Sequence, residues 1–223
     1  VAYEGSTQIS VTPFPFYPPM EEFVMGAVPD IYERVNQYDP EKAYEIFERK
    51  GYERNKAGFW EKDGELLSLS VQAHAAFVEM KKIPMVLVEQ YQRGGVDAVL
   101  RVLQGAVWGE NLALGTFEAS CGWQSCGSIN EPWATLDNYS NRHLEPIGER
   151  TGSNYWRWDN QEFSDLVEKL GSLALDDPEV VPTFNRAMEI LVEEMPVIWI
   201  TQARKILPFN TTYWKNFPTA ADN

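Results

Sequence analysis

A strand, helix and strand pattern in the middle of the chain constrains the fold more than any other feature. Apolar and polar residues alternate from Leu67 to Ala73, which is the period of a half-buried strand. Apolar residues then recur at helical spacing from Phe77 to Gly94, and a second strand pattern runs from Val96 to Leu103. Strands joined by a helix in this way pair in parallel. The sequence therefore predicts an α/β protein, with Pro84 at the start of this helix or at a kink in it.

Local signals predict further elements on both sides of this unit. Asp39 and Pro40 are typical of a helix start, and that helix is expected to end at Gly51. The turn at Lys62-Asp63-Gly64 predicts a hairpin. The stretches Leu112 to Glu118 and Met195 to Ile200 are predicted strands.

Two helices are expected late in the chain. Asp159 is predicted to cap the first, with Glu162 at its third position, and Asp177-Pro178 to start the second. The second is expected to turn an apolar face inward, made of Val181, Phe184, Met188 and Leu191.

The first thirty residues contain five prolines, Pro13, Pro15, Pro18, Pro19 and Pro29. Proline lacks a backbone donor and breaks helices, so this stretch is predicted to be an extended arm that crosses a surface. The organisation we predict is an arm over 1–30, an α/β ligand-binding lobe over 31–200 and a return segment over 201–223.

The net charge of −14 repels phosphate backbones and anionic lipid surfaces, so nucleic acid is excluded as an expected partner. The longest apolar run near the middle, Ile83 to Val88, is far shorter than the roughly 20 residues that a bilayer span needs. The first residues show no basic and apolar segments of a signal peptide, so localisation depends on other observations.

The two cysteines, Cys121 and Cys126, leave open a local disulfide or two free thiols. Cysteine and histidine are too few for a zinc site, and His74 and His143 are each expected to be hydrogen-bonded structural residues. No cofactor motif occurs in the sequence, so none is expected. Glu118, Glu131 and Asp137 could form a glycosidase pair, but solvated surface is the favoured interpretation.

Tryptophans and amides cluster in or beside loops, most of them in the long region from Ala119 to Ser153 and just after it. They include Trp108, Trp123, Trp133, Trp156 and Trp158, together with Asn111, Gln124, Asn130, Asn138, Asn141 and Asn154. A sugar ring has an apolar face with hydroxyl groups around it, so flat aromatic rings flanked by amides suit it. The alternative is ordinary packing of the indoles, which we assign outright to Trp60 and Trp199.

A series of motifs begins with Tyr38-Asp39-Pro40-Glu41-Lys42-Ala43 and continues with Gly51-Tyr52, Gly58-Phe59-Trp60 and Asp63-Gly64. In this order the motifs resemble those of the solute-binding proteins of the oligopeptide, dipeptide and nickel ABC importers. The resemblance continues through Gly94-Gly95 and Asn130-Glu131-Pro132 to Met195-Pro196-Val197-Ile198. It implies one lobe, the second, of a type II periplasmic-binding-protein-like clamshell with a mixed sheet flanked by helices.

The resemblance also implies a non-enzymatic receptor that works with ABC permease subunits in the periplasm or outside the cell, associated with a membrane. Peptide-binding members carry an Asp soon after the cleft Trp, whereas no acid lies between Trp123 and Glu131 here. A peptide ammonium group would lack its partner, which favours the branch that binds β-linked oligosaccharides such as cellobiose or mannobiose. A peptide receptor is the alternative.

The expected ligand contacts divide by chemistry. Trp123, Trp133 and Trp156 are expected to stack on sugar rings, and Asn130, Asn154 and Glu118 to bind hydroxyl groups. An isolated lobe could also self-associate through its apolar cleft face.

Overall fold

The computed structural model describes residues 7–14, 20, 23–24, 26, 31–35, 37–124, 127–128, 130–203 and 208–217. The strands are β1 (Thr7–Ile9), β2 (Glu53–Arg54), β3 (Trp60–Lys62), β4 (Glu65–Leu66), β5 (Ser68–His74), β6 (Asp97–Leu103), β7 (Ala119–Cys121) and β8 (Thr201–Ala203). The helices are α1 (Ile31–Val35), α2 (Pro40–Arg49), α3 (Glu79–Arg93), α4 (Gly105–Leu114), α5 (Trp133–Asp137), α6 (Gln161–Ser172) and α7 (Val180–Glu194), with a 3₁₀ turn at Asn141–His143.

A three-stranded parallel sheet in the order β6-β5-β7 is the framework of the first half of the chain. Strands β5 and β6 pair from Ser68 with Asp97 to His74 with Leu103. Helix α3 connects them and packs against both. Pro84 lies inside α3 and is buried, so it neither starts the helix nor prevents it. The predicted strand, helix and strand unit is confirmed.

Helix α2 and the small β2-β3-β4 sheet form a block beside the start of β6. The Asp39 carboxylate accepts a hydrogen bond from the Lys42 N–H, which caps α2 as predicted. The hairpin turn is also as predicted, and Asp63 and Gly64 both have positive φ, which suits its two-residue connection. Trp60 is 2% exposed and donates its indole N–H to the Gly94 carbonyl, so it is a packing residue.

A second core is helical and includes part of the N-terminal stretch. Helices α6 and α7 pack together with α5, and the largest fully buried side chains here include Phe163, Phe184 and Tyr139. Val11 and Phe14 are buried in the same core, and the described residues 20, 23, 24 and 26 are helical. The arm prediction therefore misses a helical part that enters the core. The physical reason is that no proline lies between Pro19 and Pro29, so a helix can form there.

Two predicted strands are wrong. Residues 112–114 end helix α4, whose C-cap Gly115 adopts φ of 68°, and the strand in this region is β7. Leu112, Ala113 and Leu114 are good helix formers, but the apolar residues of the helix do not gather on one face and are interrupted by Glu110 and Asn111, so no single-face period marks it in the sequence. The stretch from Met195 to Ile200 is irregular, with Ile198 and Ile200 exposed, because Met195 turns the chain at φ of 43°.

Two helix starts are shifted from their predicted positions. Asn160, and not Asp159, caps α6 by accepting a hydrogen bond from the Phe163 N–H. Helix α7 begins at Val180, with Glu179 as its N-cap, and not at Asp177-Pro178. It buries Val180 and leaves Val181 52% exposed, because Val180 lies four positions before Phe184. Phe184, Met188 and Leu191 face the core as predicted.

Strands β1 and β8 bring two distant parts of the chain together. They pair antiparallel from Thr7 with Ala203 to Ile9 with Thr201, and the Ser10 N–H continues the ladder to the Ile200 carbonyl. The boundaries predicted at residues 30 and 200 stay predictions. Among the described helices, none has the length and apolar character that a membrane crossing needs.

Candidate functional site

The carboxyl ends of the three parallel strands meet at one edge of the sheet. Strand β5 ends at His74, β6 at Leu103 and β7 at Cys121, and the register places these ends level with one another. The chain leaves this edge into α3, into α4 and into the loop that begins at Gly122. Ligands of open α/β sheets bind in crevices at this kind of edge. The side chains that follow each strand therefore define the candidate site.

Four aromatic rings from these three connections form one group, which we name the edge cluster: His74, Phe77, Trp108 and Trp123. The ring centroids of Phe77 and Trp123 are 4.4 Å apart, and those of His74 and Phe77 are 4.6 Å apart. The Trp108 ring meets His74 edge-on at 5.4 Å. Such contacts are favourable beyond the area that they bury.

The edge cluster is open on one side. Trp123 is 56% exposed and Phe77 is 37% exposed, whereas Trp108 is half-buried. Gly122 lies against Trp108, since a Cβ built on it would be 3.2 Å from the indole. The result is an apolar, aromatic surface that a flat ligand face can cover. The indole N–H of Trp108 is buried and has no partner among the described residues.

Buried hydrogen bonds connect the strands and the helix that carry the edge cluster. Gln72 on β5 is 3% exposed, donates to the Ser120 hydroxyl on β7 at 3.2 Å and accepts from the Asn111 amide on α4 at 2.9 Å. A buried amide satisfied on both ends fixes the strands and helix that carry the rings.

Two predicted hydroxyl-binding residues make structural hydrogen bonds. Asn154 is fully buried at φ of 44°, and its amide donates to the carbonyls of Ser140 and Trp158 and accepts from the Trp158 N–H. Glu118 is exposed, and its carboxylate accepts from the Ser70 N–H at 2.6 Å, beside the sheet. Their role in ligand binding stays a prediction.

Trp133 and Trp156 pack against the helical core, and no described contact joins them to the edge cluster. The Trp133 indole lies so close to Gly171 of α6 that a Cβ built there would be 2.5 Å from its nitrogen, and the Arg142 guanidinium lies 5.4 Å from its ring centre. The ring centres of Trp156 and Tyr139 are 4.6 Å apart. Their role as stacking platforms stays a prediction.

The loop after Trp123 is tied to the helical core. The Gln124 amide oxygen accepts from the Tyr139 hydroxyl at 2.6 Å, and the same hydroxyl accepts from the Trp199 indole at 3.2 Å. Trp199 is thus a packing residue, as predicted, and burial raises the pKa of Tyr139. Asn130 is exposed, while Glu131 accepts hydrogen bonds from the N–H groups of Trp133 and Ala134.

Cys121 is a half-buried free thiol at the end of β7, and Cys126 lies outside the described residues, so the disulfide stays a prediction. Burial raises the pKa of the Cys121 thiol to about 11 from 9.0. Metal-binding groups of three or more His, Cys, Asp or Glu are absent from the part of the chain that the structure describes.

The raised pKa of Cys121 predicts a loss of stability at alkaline pH. Above pH 9.0 the thiol of the unfolded chain ionises while the native thiol stays protonated until about pH 11, so this residue lowers the free energy of unfolding as pH rises through that window. Urea denaturation from pH 8 to pH 11 should show a shallower fall for Cys121→Ala than for the parent. Parallel curves for the two proteins would contradict the prediction.

The sequence analysis selected Trp123 but missed the rest of the edge cluster. His74 was expected to be purely structural, Phe77 was counted as helix packing, and Trp108 was noted without being assigned. The available signal was positional, because each aromatic residue ends or closely follows a predicted strand of one parallel sheet.

No family model matches the sequence, and no curated protein sequence matches it. Solved structures do match. A Thermotoga maritima periplasmic oligopeptide-binding protein of an ABC transporter, with mannohexaose bound, is 21% identical with a TM-score of 0.75, over 99% of this chain and 41% of its own.

Two further structures are similar. A Bacillus subtilis oligopeptide-binding protein in complex with a nonapeptide is 16% identical with a TM-score of 0.66, over 90% of this chain and 37% of its own. A Campylobacter jejuni protein, NikZ, in complex with Ni(L-His) is 18% identical with a TM-score of 0.66, over 88% of this chain and 36% of its own.

This chain spans about two fifths of the length of the solved structures that it matches. The edge cluster and the sheet that carries it belong to a mixed α/β unit with helices around the sheet, and the similar structures are clamshell binding proteins. The chain therefore has the fold of one lobe of a periplasmic-binding-protein clamshell.

Proposed function

We propose that this chain is the second lobe of the substrate-binding component of an ABC importer and that it binds a β-linked oligosaccharide. The lobe contributes one wall of the ligand cleft, and closure against the other lobe signals the bound ligand to the permease subunits. The complete protein works in the periplasm or outside the cell, associated with a membrane. It is a receptor and not an enzyme.

The observation that carries the proposal is the exposed ring of Trp123 on the edge cluster. A sugar ring stacks its C–H face on an indole, and an exposed aromatic surface that the ligand can cover suits it. None of the four edge-cluster residues carries a carboxylate. The similar structure with mannohexaose bound supports an oligosaccharide for this fold.

A peptide ligand is the second candidate, because a similar structure holds a nonapeptide. A peptide α-ammonium group needs a carboxylate partner when it is removed from water. The first acidic residue after Trp123 is Glu131, and one of its carboxylate oxygens already caps helix α5 through the N–H groups of Trp133 and Ala134. This arrangement favours the neutral ligand.

Hydrolysis of the sugar is disfavoured by the contacts of the candidate acids. The Glu118 carboxylate accepts from the backbone of Ser70, and Asp137 forms an ion pair with Arg142. Neither carboxylate belongs to the edge cluster. Incubation with an oligosaccharide followed by product chromatography should show no cleavage, and sustained cleavage abolished by Glu118→Gln would overturn the receptor proposal.

Titration calorimetry tests the proposed ligand class. The full-length protein should release heat with cellobiose or mannobiose and none with a tripeptide. Heat with the tripeptide alone would instead establish the peptide receptor. An isolated lobe should bind the sugar more weakly, because the contacts of the opposite wall and the free energy of closure are missing.

Trp123→Ala should weaken sugar binding by about 30-fold, since truncation of an exposed anchor tryptophan in a binding site costs roughly 2 kcal/mol. The matched control is Tyr38→Ala, which removes an aromatic ring that is 93% exposed before helix α2. Calorimetry should give the control an unchanged Kd. Equal Kd values for the parent and Trp123→Ala would show that Trp123 does not contribute to sugar binding.

A further inference from the structure

We propose that His74 is a positioning residue for the ligand-stacking surface: its ring supports Phe77, and Phe77 in turn supports Trp123. This inference rests on the proposed function, because it assigns a role at the same edge cluster. His74 itself has no direct ligand contact in this proposal. Its part is to hold the connection after β5 in the one arrangement that keeps the rings in contact.

The backbone after β5 is bound at two consecutive N–H groups. The Ala75 N–H donates to the Leu103 carbonyl at 2.8 Å, which extends the pairing of β5 with β6 by one residue. The Ala76 N–H donates to Nδ1 of His74 at 3.1 Å. Nδ1 therefore acts as an acceptor, and in the neutral ring the proton is on Nε2. This contact makes the turn that directs Phe77 back over the imidazole.

The imidazole ring is enclosed on three sides. Phe77 lies 4.6 Å from its centre on one side and Trp108 5.4 Å away on another. On the third side is Gly105, the first residue of α4, where a built Cβ would be 2.5 Å from Nε2. Only glycine leaves room for the ring at this point. Because His74 is fixed in this way, it supports the ring of Phe77. The centre of that ring lies 4.4 Å from the ring centre of Trp123.

The test compares His74→Asn with His143→Asn, because the chain has two histidines. An asparagine at 74 keeps an oxygen near the position of Nδ1 and removes the ring. Cellobiose and mannobiose calorimetry should show about a threefold to tenfold loss of affinity for His74→Asn at pH 7.5, the worth of one aromatic contact. His143→Asn should keep the affinity of the parent, and in a Trp123→Ala background His74→Asn should cause no further loss, because its effect acts through that ring.

A second readout needs no ligand. Without the imidazole the rings of Phe77 and Trp123 lose their support, so acrylamide should quench the tryptophan emission of His74→Asn more strongly than that of the parent, and His143→Asn should match the parent. Parent-like affinity and parent-like quenching in His74→Asn would overturn the inference. If neither sugar gives heat with any protein, the proposed function fails, while the quenching comparison still decides the role of His74. If His74→Asn does not fold, Gly105→Ala gives the same comparison, because its Cβ would displace the imidazole ring.

Discussion

Replacing Phe184 by alanine should lower the free energy of unfolding by about 3 to 5 kcal/mol, the cost of truncating a fully buried phenylalanine. Phe184 is 0% exposed on α7. Its ring lies 5.5 Å from Phe14 and 5.7 Å from Phe23, both of which come from the N-terminal stretch. The cavity would open where three separate parts of the chain meet, so it should not close easily. Urea denaturation followed by circular dichroism measures the change.

Val181→Ala on the same helix is the matched control. Val181 is 52% exposed, so its truncation should change the free energy of unfolding by less than about 0.5 kcal/mol. The comparison also tests which face of α7 is buried, since the sequence analysis had placed both residues inward. Equal losses for the two variants would contradict the burial of Phe184 described above.

Gly95→Ala should lower the free energy of unfolding by about 3 kcal/mol. Gly95 has φ of 86°, where a Cβ costs roughly 1 to 2 kcal/mol, and overpacking adds a further roughly 1 to 3 kcal/mol. A built Cβ would lie 2.6 Å from the Gly58 carbonyl oxygen and 2.7 Å from Nη1 of Arg54. The guanidinium cannot simply move away. It donates to the carbonyls of Gly58 and Gly94 and lies over the rings of Tyr44 and Trp60.

Gly64→Ala separates the two costs. Gly64 has a similar φ of 82°, and a built Cβ there meets nothing within 4 Å. This variant should lose only the conformational part, about 1 to 2 kcal/mol. Thermal or urea unfolding of both variants measures the difference. If Gly95→Ala and Gly64→Ala lose the same amount, the close approach of Arg54 and Gly58 to Gly95 has no energetic weight.

The elements that the sequence predicted correctly are those whose signals are local. Asp39-Pro40 caps and starts α2, the turn at Asp63-Gly64 sets the hairpin, and the period-2 alternation in β5 is readable without any partner. The prediction for helix α4 was wrong because its apolar residues do not gather on one face, so no period marks it as a helix. The strand predicted after Met195 was wrong because its apolar composition suggested burial, whereas Ile198 is 64% exposed.

The candidate site was only partly predictable. Trp123 stood out because it lies in a loop rich in glycine and polar residues. Phe77, 46 positions earlier, contacts its ring, and Trp108, 15 positions earlier, contacts His74 of the same cluster. These contacts form only because three parallel strands end at one edge. Tryptophan enrichment alone could not separate Trp123 from Trp133, since the latter's packing on Gly171 depends on how α5 meets α6.

The pairing of β1 with β8 has a consequence for modularity. Thr7 and Ala203 are direct partners in an antiparallel ladder, where paired Cα atoms lie only about 4.5 to 5.5 Å apart. The segment between these two residues therefore begins and ends at points that lie close together in space. A surface turn of an unrelated host protein has the same narrow spacing, so this unit has the geometry required for transplantation into such a turn without stretching either joint.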